Sequence, residues 1–253
     1  MKKEEYYTAK EAMELLGKPS TSFYREVREG RIPHKGKRPN MRFPKEAIDV
    51  IAEVRANKKE EEENLTFILS TIADAWTKQE ITHQPYEDED AVPFKTVLEW
   101  RERNDEISMN VKLRGRILGW TTFLPLDETI IVELLYNRMR EKDIPPQAIK
   151  KWTDRQLSVY IPIIEVIPSD NVERDKEVGA FLLKKTIKWA ITLMIQYDIK
   201  NWYGIGATAE GQAILERLGF ELITDLEGGK RKGYKLETKT EPVRLVSRFL
   251  QSI

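Results

Sequence analysis

The chemistry most plainly written in this chain is the binding of phosphate. Between Lys18 and Lys45 stand nine basic residues: Lys18, Arg25, Arg28, Arg31, Lys35, Lys37, Arg38, Arg42 and Lys45. Only two acids, Glu26 and Glu29, stand among them. The whole 253-residue chain carries 42 basic and 42 acidic side chains, so its net charge is zero. Acid collects elsewhere, at Glu60 to Glu63 and at Glu87 to Asp90. A locally basic stretch on a neutral chain is the footprint of a module built to hold a polyanion. The plainer reading of the same residues is a small domain with a solvated basic face. Other reactive side chains exclude more than they offer. There is no cysteine, which removes disulfides, thiolate ligands and thiol nucleophiles and agrees with a cytoplasmic protein. The two histidines, His34 and His83, lie far apart and in no metal-ligand spacing, so no metal site is expected. No apolar run is long enough to cross a bilayer, and residues 1–5 are charged and form no apolar signal core. No membrane partner is therefore expected.

The elements that must position these bases can be read from caps and spacing. Thr8 followed by Glu11 makes a capping box. The helix that follows carries Ala9, Ala12, Met13, Leu15 and Leu16 at helical spacing, and Gly17 ends it. After Pro19 and Ser20 a second helix runs from about Thr21 to Glu29. Phe23 and Val27 face inward in it, while Ser22, Arg25 and Arg28 point outward with Tyr24 beside them. Gly30 closes it. Two short helices joined by a tight turn make a helix-turn-helix, whose second helix enters the major groove. His34 to Phe43 has turn residues in the middle and bases on both sides, and reads as a wing. Pro44 opens a third helix with Ala47, Ile48, Ile51 and Val54 on one face.

This arrangement resembles the MerR-like and excisionase-like winged helix-turn-helix families over about Tyr6 to Val54. The resembling residues are Tyr7 to Ala12, Leu15-Leu16-Gly17, Ser20 to Arg25, Glu29 to Pro33 and Arg42 to Glu46. The resemblance implies double-stranded DNA as a partner. It implies contacts from Thr21, Ser22, Tyr24, Arg25 and Arg28 on the helix and from Lys35, Lys37, Arg38 and Arg42 on the wing. One module presents a small interface, so specific binding calls for a homodimer or neighbouring copies.

The rest of the chain alternates strand and helix patterns. The first unit is read as residues 1–56, a charged linker or frayed helix end as 57–64, a second domain as 65–237 and a tail as 238–253. Within the second domain, strands are expected at 65–69, 107–113, 116–124, 157–167, 202–205, 220–224 and 233–236. Helices are expected at 72–81, 94–103, 127–141, 176–197 and 209–218. An acidic loop lies near 84–93. Arg114-Gly115 and Gly228-Gly229 are turn signals. The fold class is α+β in two domains, a mainly α module followed by a mixed α/β sheet.

The second domain resembles the GNAT superfamily of N-acetyltransferases. The pieces are Gly115 to Trp120, Val166-Ile167-Pro168, Arg174 to Leu183, and Ala207 to Phe220 ending Leu-Gly-Phe. The segment 127–152 is an insert on the minimal plan. The resemblance implies an acyl-CoA whose pyrophosphate is cradled by a glycine-bearing loop and helix N-terminus. Arg174, Val178, Gly179 and Ala180 should line that cradle, with backbone near Val166 holding the pantetheine arm and Glu165 as a base, Tyr160 or water assisting. Two positions depart. Glu177 replaces the first glycine of the loop, near Glu173 and Asp175, and Leu215 stands where many members carry a proton-donating tyrosine.

Three functions stay open. One is a sequence-specific regulator whose GNAT-like domain serves dimerisation, a protein partner or ligand sensing. Another is an active acetyl-CoA-dependent acetyltransferase directed or regulated by DNA. The third is an excisionase-like recombination factor.

Overall fold

The computed structural model describes residues 5–37, 39–82 and 91–238, with the side chains of 56–63, 82 and 227 also outside the description. Arg38, residues 84–90 of the expected acidic loop and the tail from 239 onward fall outside the described residues. The chain divides into two units, Met1–Asn64 and Leu65–Ile253.

In the first unit, helix α1 (Ala9–Leu15) starts at Thr8. The Thr8 hydroxyl accepts from the Glu11 backbone N–H, and the Glu11 carboxylate accepts from the Thr8 N–H at 2.7 Å. These bonds satisfy donors that a helix start leaves open. Helix α2 (Ser20–Arg28) follows a short turn, and Gly30 stops it at a positive φ of 73°. A two-residue strand β1 (Tyr6–Tyr7) pairs antiparallel with β2 (Phe43–Pro44). Helix α3 (Lys45–Glu63) completes the unit. Its helical hydrogen bonding continues through the charged stretch read as a linker, so 57–63 extends α3.

The core of this unit is Ala12, Leu16, Phe23, Val27, Ile32, Phe43 and Ile48. Phe23 and Val27 are buried as their spacing requires. Val54 is not: it is exposed, as is Val50 one turn before it. The inward face of α3 runs through Ile48, Ile51, Ala52 and Arg55, the last reaching Glu26 of α2, and Val50 and Val54 lie off it. The wing is small. Lys35 and Arg42 exchange both backbone hydrogen bonds, at 2.8 and 2.9 Å, around a turn containing Gly36 at φ 81°.

In the second unit the chain runs β3 (Thr66–Leu69), α4 (Ile72–Thr82), α5 (Phe94–Arg103), β4 (Ser108–Leu113), β5 (Arg116–Leu126) and α6 (Glu128–Leu135). It continues β6 (Leu157–Val166), α7 (Val172–Gln196), β7 (Ile199–Gly206), α8 (Ala209–Arg217), β8 (Glu221–Leu226) and β9 (Arg231–Glu237). The strands form one sheet in the order β3-β4-β5-β6-β7-β9-β8. Only β6 and β7 are parallel, and α7 is their crossover. Arg114 and Gly115, both at positive φ, make the β4–β5 turn tight enough to join strands two residues apart.

Two apolar layers flank the sheet. Phe123, Val159, Trp202, Tyr234 and Leu236 pack with residues of α7 and α8, including Ile187 and Leu193. Leu124, Leu126, Tyr160 and Tyr203 pack on the other face with Trp100 of α5 and Ile131, Leu134 and Leu135 of α6.

Two boundaries differ from expectation in ways that matter. Helix α6 ends at Leu135 rather than near Glu141, with Asn137 at φ 56° just beyond it. The rest of the insert holds two short helical turns, Glu141–Asp143 and Pro146–Ala148, the second opening at Pro146, a helix-start position that proline suits. Helix α7 starts at Val172, four residues before the expected Lys176. Asn171 caps it, its side chain accepting from the Arg174 N–H. Glu173 and Asp175 in the first turn complement the positive end of the helix dipole.

Candidate functional site

The nucleic-acid candidates of the first unit sort into two groups. Three bases are bound to acids of their own unit: Lys18 to Glu26, Arg31 to Glu29, and Lys45 to Glu5 at 2.7 Å. Arg25, Arg28, Lys37 and Arg42 are exposed and make no ion pair with an acid among the described residues. Lys35 lies against Tyr6, donating to its hydroxyl at 2.7 Å. On α2, Thr21 is exposed, and Ser22 and Tyr24 are half-buried. The Phe23 ring meets Phe43 at 5.1 Å, which ties the base of the wing to α2.

The residue that sequence reading missed is Glu26. It is only 5% exposed. Its carboxylate takes hydrogen bonds from Lys18 and, at 2.7 Å, from Arg55 of α3. The hydrogen bond from Lys18 leads in holding this carboxyl below the usual glutamate range, with Arg55 adding to it and burial opposing it. The signal was in the spacing. Position 26 is three beyond Phe23 and beside Val27, so it shares their inward face. Glu26 thus engages Lys18 and ties α2 to α3, while Arg25 and Arg28 stay at the surface.

In the second unit the site is a cleft of about 1600 Å³. Strand pairing explains it. β6 and β7 pair from Leu157 opposite Ile199 to Ile161 opposite Gly204, and no further. Pro162 follows, which has no N–H to give, and the β5–β6 register shifts at the same place. Beyond it β6 stays with β5, through Trp120 opposite Glu165 and Gly119 opposite Val166. β7 stays with β9, through Ile205 opposite Gly233. The two parallel strands separate and the cleft opens between them.

Gly119 is needed here. A Cβ at this position would stand 2.6 Å from the Glu165 carbonyl oxygen, so glycine alone lets β5 close on β6. Glu165 lines the cleft, and its Oε2 is buried with no hydrogen-bond partner among the described residues. Burial raises its pKa above the ordinary glutamate value. Cross-strand register places Asn110, Trp120 and Glu165 in one row. Lys78 of α4 reaches this region, donating to Ser108 at 2.9 Å and to Asn110 at 3.1 Å, and burial pulls its ammonium down to about 7. Tyr160, expected to assist Glu165, donates instead to Glu141 of the insert at 2.7 Å. Burial raises both of these groups.

The expected acyl-CoA residues are divided between two pockets that share Val166. Val166, Gly179 and Ala180 line the large cleft, while Val166, Arg174 and Val178 line a second pocket of about 500 Å³. Val178 is buried with Val111 and Leu182. The stretch Arg174 to Gly179, expected as a loop, lies inside α7. With glutamate in place of the first glycine and an asparagine cap upstream, the helix is the favoured backbone. The start of α7 already holds ligands of its own: Asn171 accepts from the Arg174 N–H at 3.1 Å. The Asp175 carboxylate takes the Ser169 N–H at 2.8 Å and hydroxyl at 2.6 Å. Glu173 and Glu177 are exposed at the same end. This end of α7 therefore does not fit a pyrophosphate, which needs free N–H groups and no acid beside it. Leu215 is buried near Gly204 and offers no proton.

Residues 6–53 match the family described as a helix-turn-helix domain. No curated protein matches the chain. Among solved structures, Ard1 from Thermoplasma volcanium is 12% identical, covering 69% of this chain and 98% of that one, with a TM-score of 0.44. The yncA protein of Salmonella typhimurium, solved with its cofactor acetyl-CoA, is 16% identical, covering 70% and 95%, with a TM-score of 0.42. An acetyltransferase from Thermus thermophilus is 11% identical, covering 70% and 98%, with a TM-score of 0.39. The first unit is a helix-turn-helix domain. The strand order and the parallel pair β6–β7, which separates at Pro162, give the second unit the mixed α/β sheet expected of it.

Proposed function

We propose that this chain is a sequence-specific double-stranded DNA-binding regulator, acting as a cytoplasmic homodimer, whose GNAT-like domain is a ligand-sensing unit. One observation carries the DNA half. Glu26 anchors α2 from inside, while Arg25 and Arg28 on the same helix stay exposed and without acid partners among the described residues. Such an arginine pair can reach phosphates and base edges once the helix lies in a major groove. The sensing half is supported by the closed start of α7 together with the large cleft, a combination that retains a binding volume and lacks a cofactor cradle.

The test is fluorescence anisotropy on duplex pools selected by the protein itself. The Arg25→Ala, Arg28→Ala double variant should lose at least tenfold in affinity. Unchanged binding would remove the assignment of α2. Selection that yields no preferred sequence would remove the specificity, and light scattering that finds a monomer would remove the dimer. Sites that recur only at the ends of mobile DNA would favour the excisionase-like reading.

A second reading, DNA-directed acetyltransferase, has one observation in its favour. Glu165 is a cleft carboxylate with a raised pKa and an unpartnered oxygen, the properties of a general base. Acetyl-CoA titration separates the two. Thermal stabilisation of the second unit at micromolar cofactor would favour the enzyme, and none at millimolar favours the sensor.

A further inference from the structure

The cleft has a side facing α7 and α8 whose lining differs from the rest. Leu183, Ile187, Met194, Ile214, Phe220 and Leu236 contribute hydrocarbon there. Two buried polar atoms interrupt it, Trp202 Nε1 and Thr186 Oγ1. Trp202 is 2% exposed and Thr186 3%. Neither atom has a hydrogen-bond partner among the described residues. Both residues line the cleft.

Trp202 differs from Trp100 and Trp152, while Thr186 shares its unpartnered buried hydroxyl with Thr121 and Thr238 among the described residues. Trp100 donates its indole N–H to the Ile144 carbonyl and Trp152 to the Glu106 carbonyl, both at 3.1 Å. Thr77 and Thr192, also on helices, donate to the carbonyls four residues earlier. Thr186 does not make that bond. Buried polar groups are nearly always satisfied, and an unmet donor costs the full loss of its hydration. An indole N–H can only donate, whereas a hydroxyl can donate or accept. The missing partner of Trp202 is therefore an acceptor, to which Thr186 can also donate. The charged residues of α7 and α8 that line the cleft are Lys176 and Glu210. Lys176 stands ten residues, about 15 Å, along α7 from Thr186, so a charged ligand beside Thr186 would lose hydration with no nearby α7 charge to offset it.

We propose that the α7-facing side of the cleft binds an uncharged, largely apolar molecule bearing carbonyl or ester oxygen, with Trp202 Nε1 and Thr186 Oγ1 donating to its oxygen atoms. The inference rests on the reading of the second unit as a ligand-binding domain and names the chemical class of that ligand. It places recognition away from Glu165 and Lys78.

The test uses the full chain and ethyl hexanoate as probe, followed by the indole N–H resonances in two-dimensional NMR. The six tryptophans give separate signals, and Trp202→Phe assigns the one that matters. The Trp202 resonance should move saturably with ester. Hexanoate anion at the same concentration should leave it in place. Thr186→Val, which keeps shape and removes the hydroxyl, should weaken binding about three- to tenfold, the scale of one neutral hydrogen bond. The remaining indole signals report that each variant is folded. Three results would overturn the proposal: no movement of the Trp202 signal, equal binding of the anion, or affinity unchanged in both variants. The anisotropy assay repeated with ester keeps the two ideas apart. Ester binding without any change in DNA affinity would sink the sensor reading and leave this site standing.

Discussion

Replacing Glu26 by glutamine should damage the first unit out of proportion to so small a change. The two carboxylate oxygens have separate donors, Lys18 on Oε1 and Arg55 on Oε2. An amide offers one acceptor and one donor, so one of the two cations must face an N–H. The lost bond is charge-assisted, the class worth about 1.5–3 kcal/mol. Lys18 and Arg55 keep 21% and 34% of their side-chain exposure and can turn partly to water. That lowers the expected cost to about 1–2 kcal/mol. A unit of this size holds only several kcal/mol of stability, and each lost kcal/mol moves its Tm by about 4–8 °C. Calorimetry on the full chain should show the first unit's transition about 5–15 °C lower and the second unit's unmoved. The pH dependence gives an independent check. The folded pKa of Glu26 is depressed, so its stabilising contribution is complete above the ordinary glutamate value and is lost as pH falls through the folded pKa. The gap between the native chain and Glu26→Gln should thus be full at pH 7 and close below about pH 4. A Tm change under about 2 °C at neutral pH would refute the reasoning, as would a gap that persists in acid, since about 1 kcal/mol should move Tm by more than that.

Other outcomes follow from the same structure. If Arg28 and Arg42 each meet one phosphate, Arg28→Ala and Arg42→Ala should each lower the slope of log affinity against log salt by about 1, read by anisotropy across a salt series. Gly206→Ala should destabilise the second unit by about 1–3 kcal/mol on chemical denaturation, the usual range for overpacking. Its new Cβ would stand 2.7 Å from Gln212 Cγ and 3.1 Å from the Gln212 backbone. Gly204→Ala, whose Cβ would meet only Leu215 and Ile161 side chains at 3.6 Å or more, should be far milder. Burial has pulled Lys78 down to about 7, below its unfolded value, so the unfolded chain binds the extra proton between those two values. The second unit should become more stable as pH rises from 7 towards 10, and Lys78→Met should flatten that slope in the calorimeter.

Much of this protein is legible in local pattern. The capping box at Thr8 and Glu11, the glycines that stop α1 and α2, and the Arg114-Gly115 hairpin each depend on neighbours within a few residues. Each appears where its spacing requires. The order of strands and helices in the second unit also followed from alternation, because amphipathic period is a property of the segment itself. Boundaries fared worse. At α7 an asparagine cap and first-turn acids prevailed over an expected loop, and α6 stops at Leu135, with Asn137 at positive φ just beyond it, short of the expected end near Glu141.

The sites depended on more than neighbours. That Arg25, Arg28 and Arg42 are basic is a matter of composition. That Lys18 is spent on Glu26, while Arg25 and Arg28 stay without acid partners among the described residues, depends on Arg55 arriving from another helix. That Glu165 and Lys78 line one cleft, that Tyr160 is committed to Glu141, and that Trp202 and Thr186 find no hydrogen-bond partner among the described residues are facts about elements far apart in sequence. The physical reason is the same each time. A residue type sets which bonds a side chain can make, and only the packing of distant segments sets which partners and how much water remain within its reach.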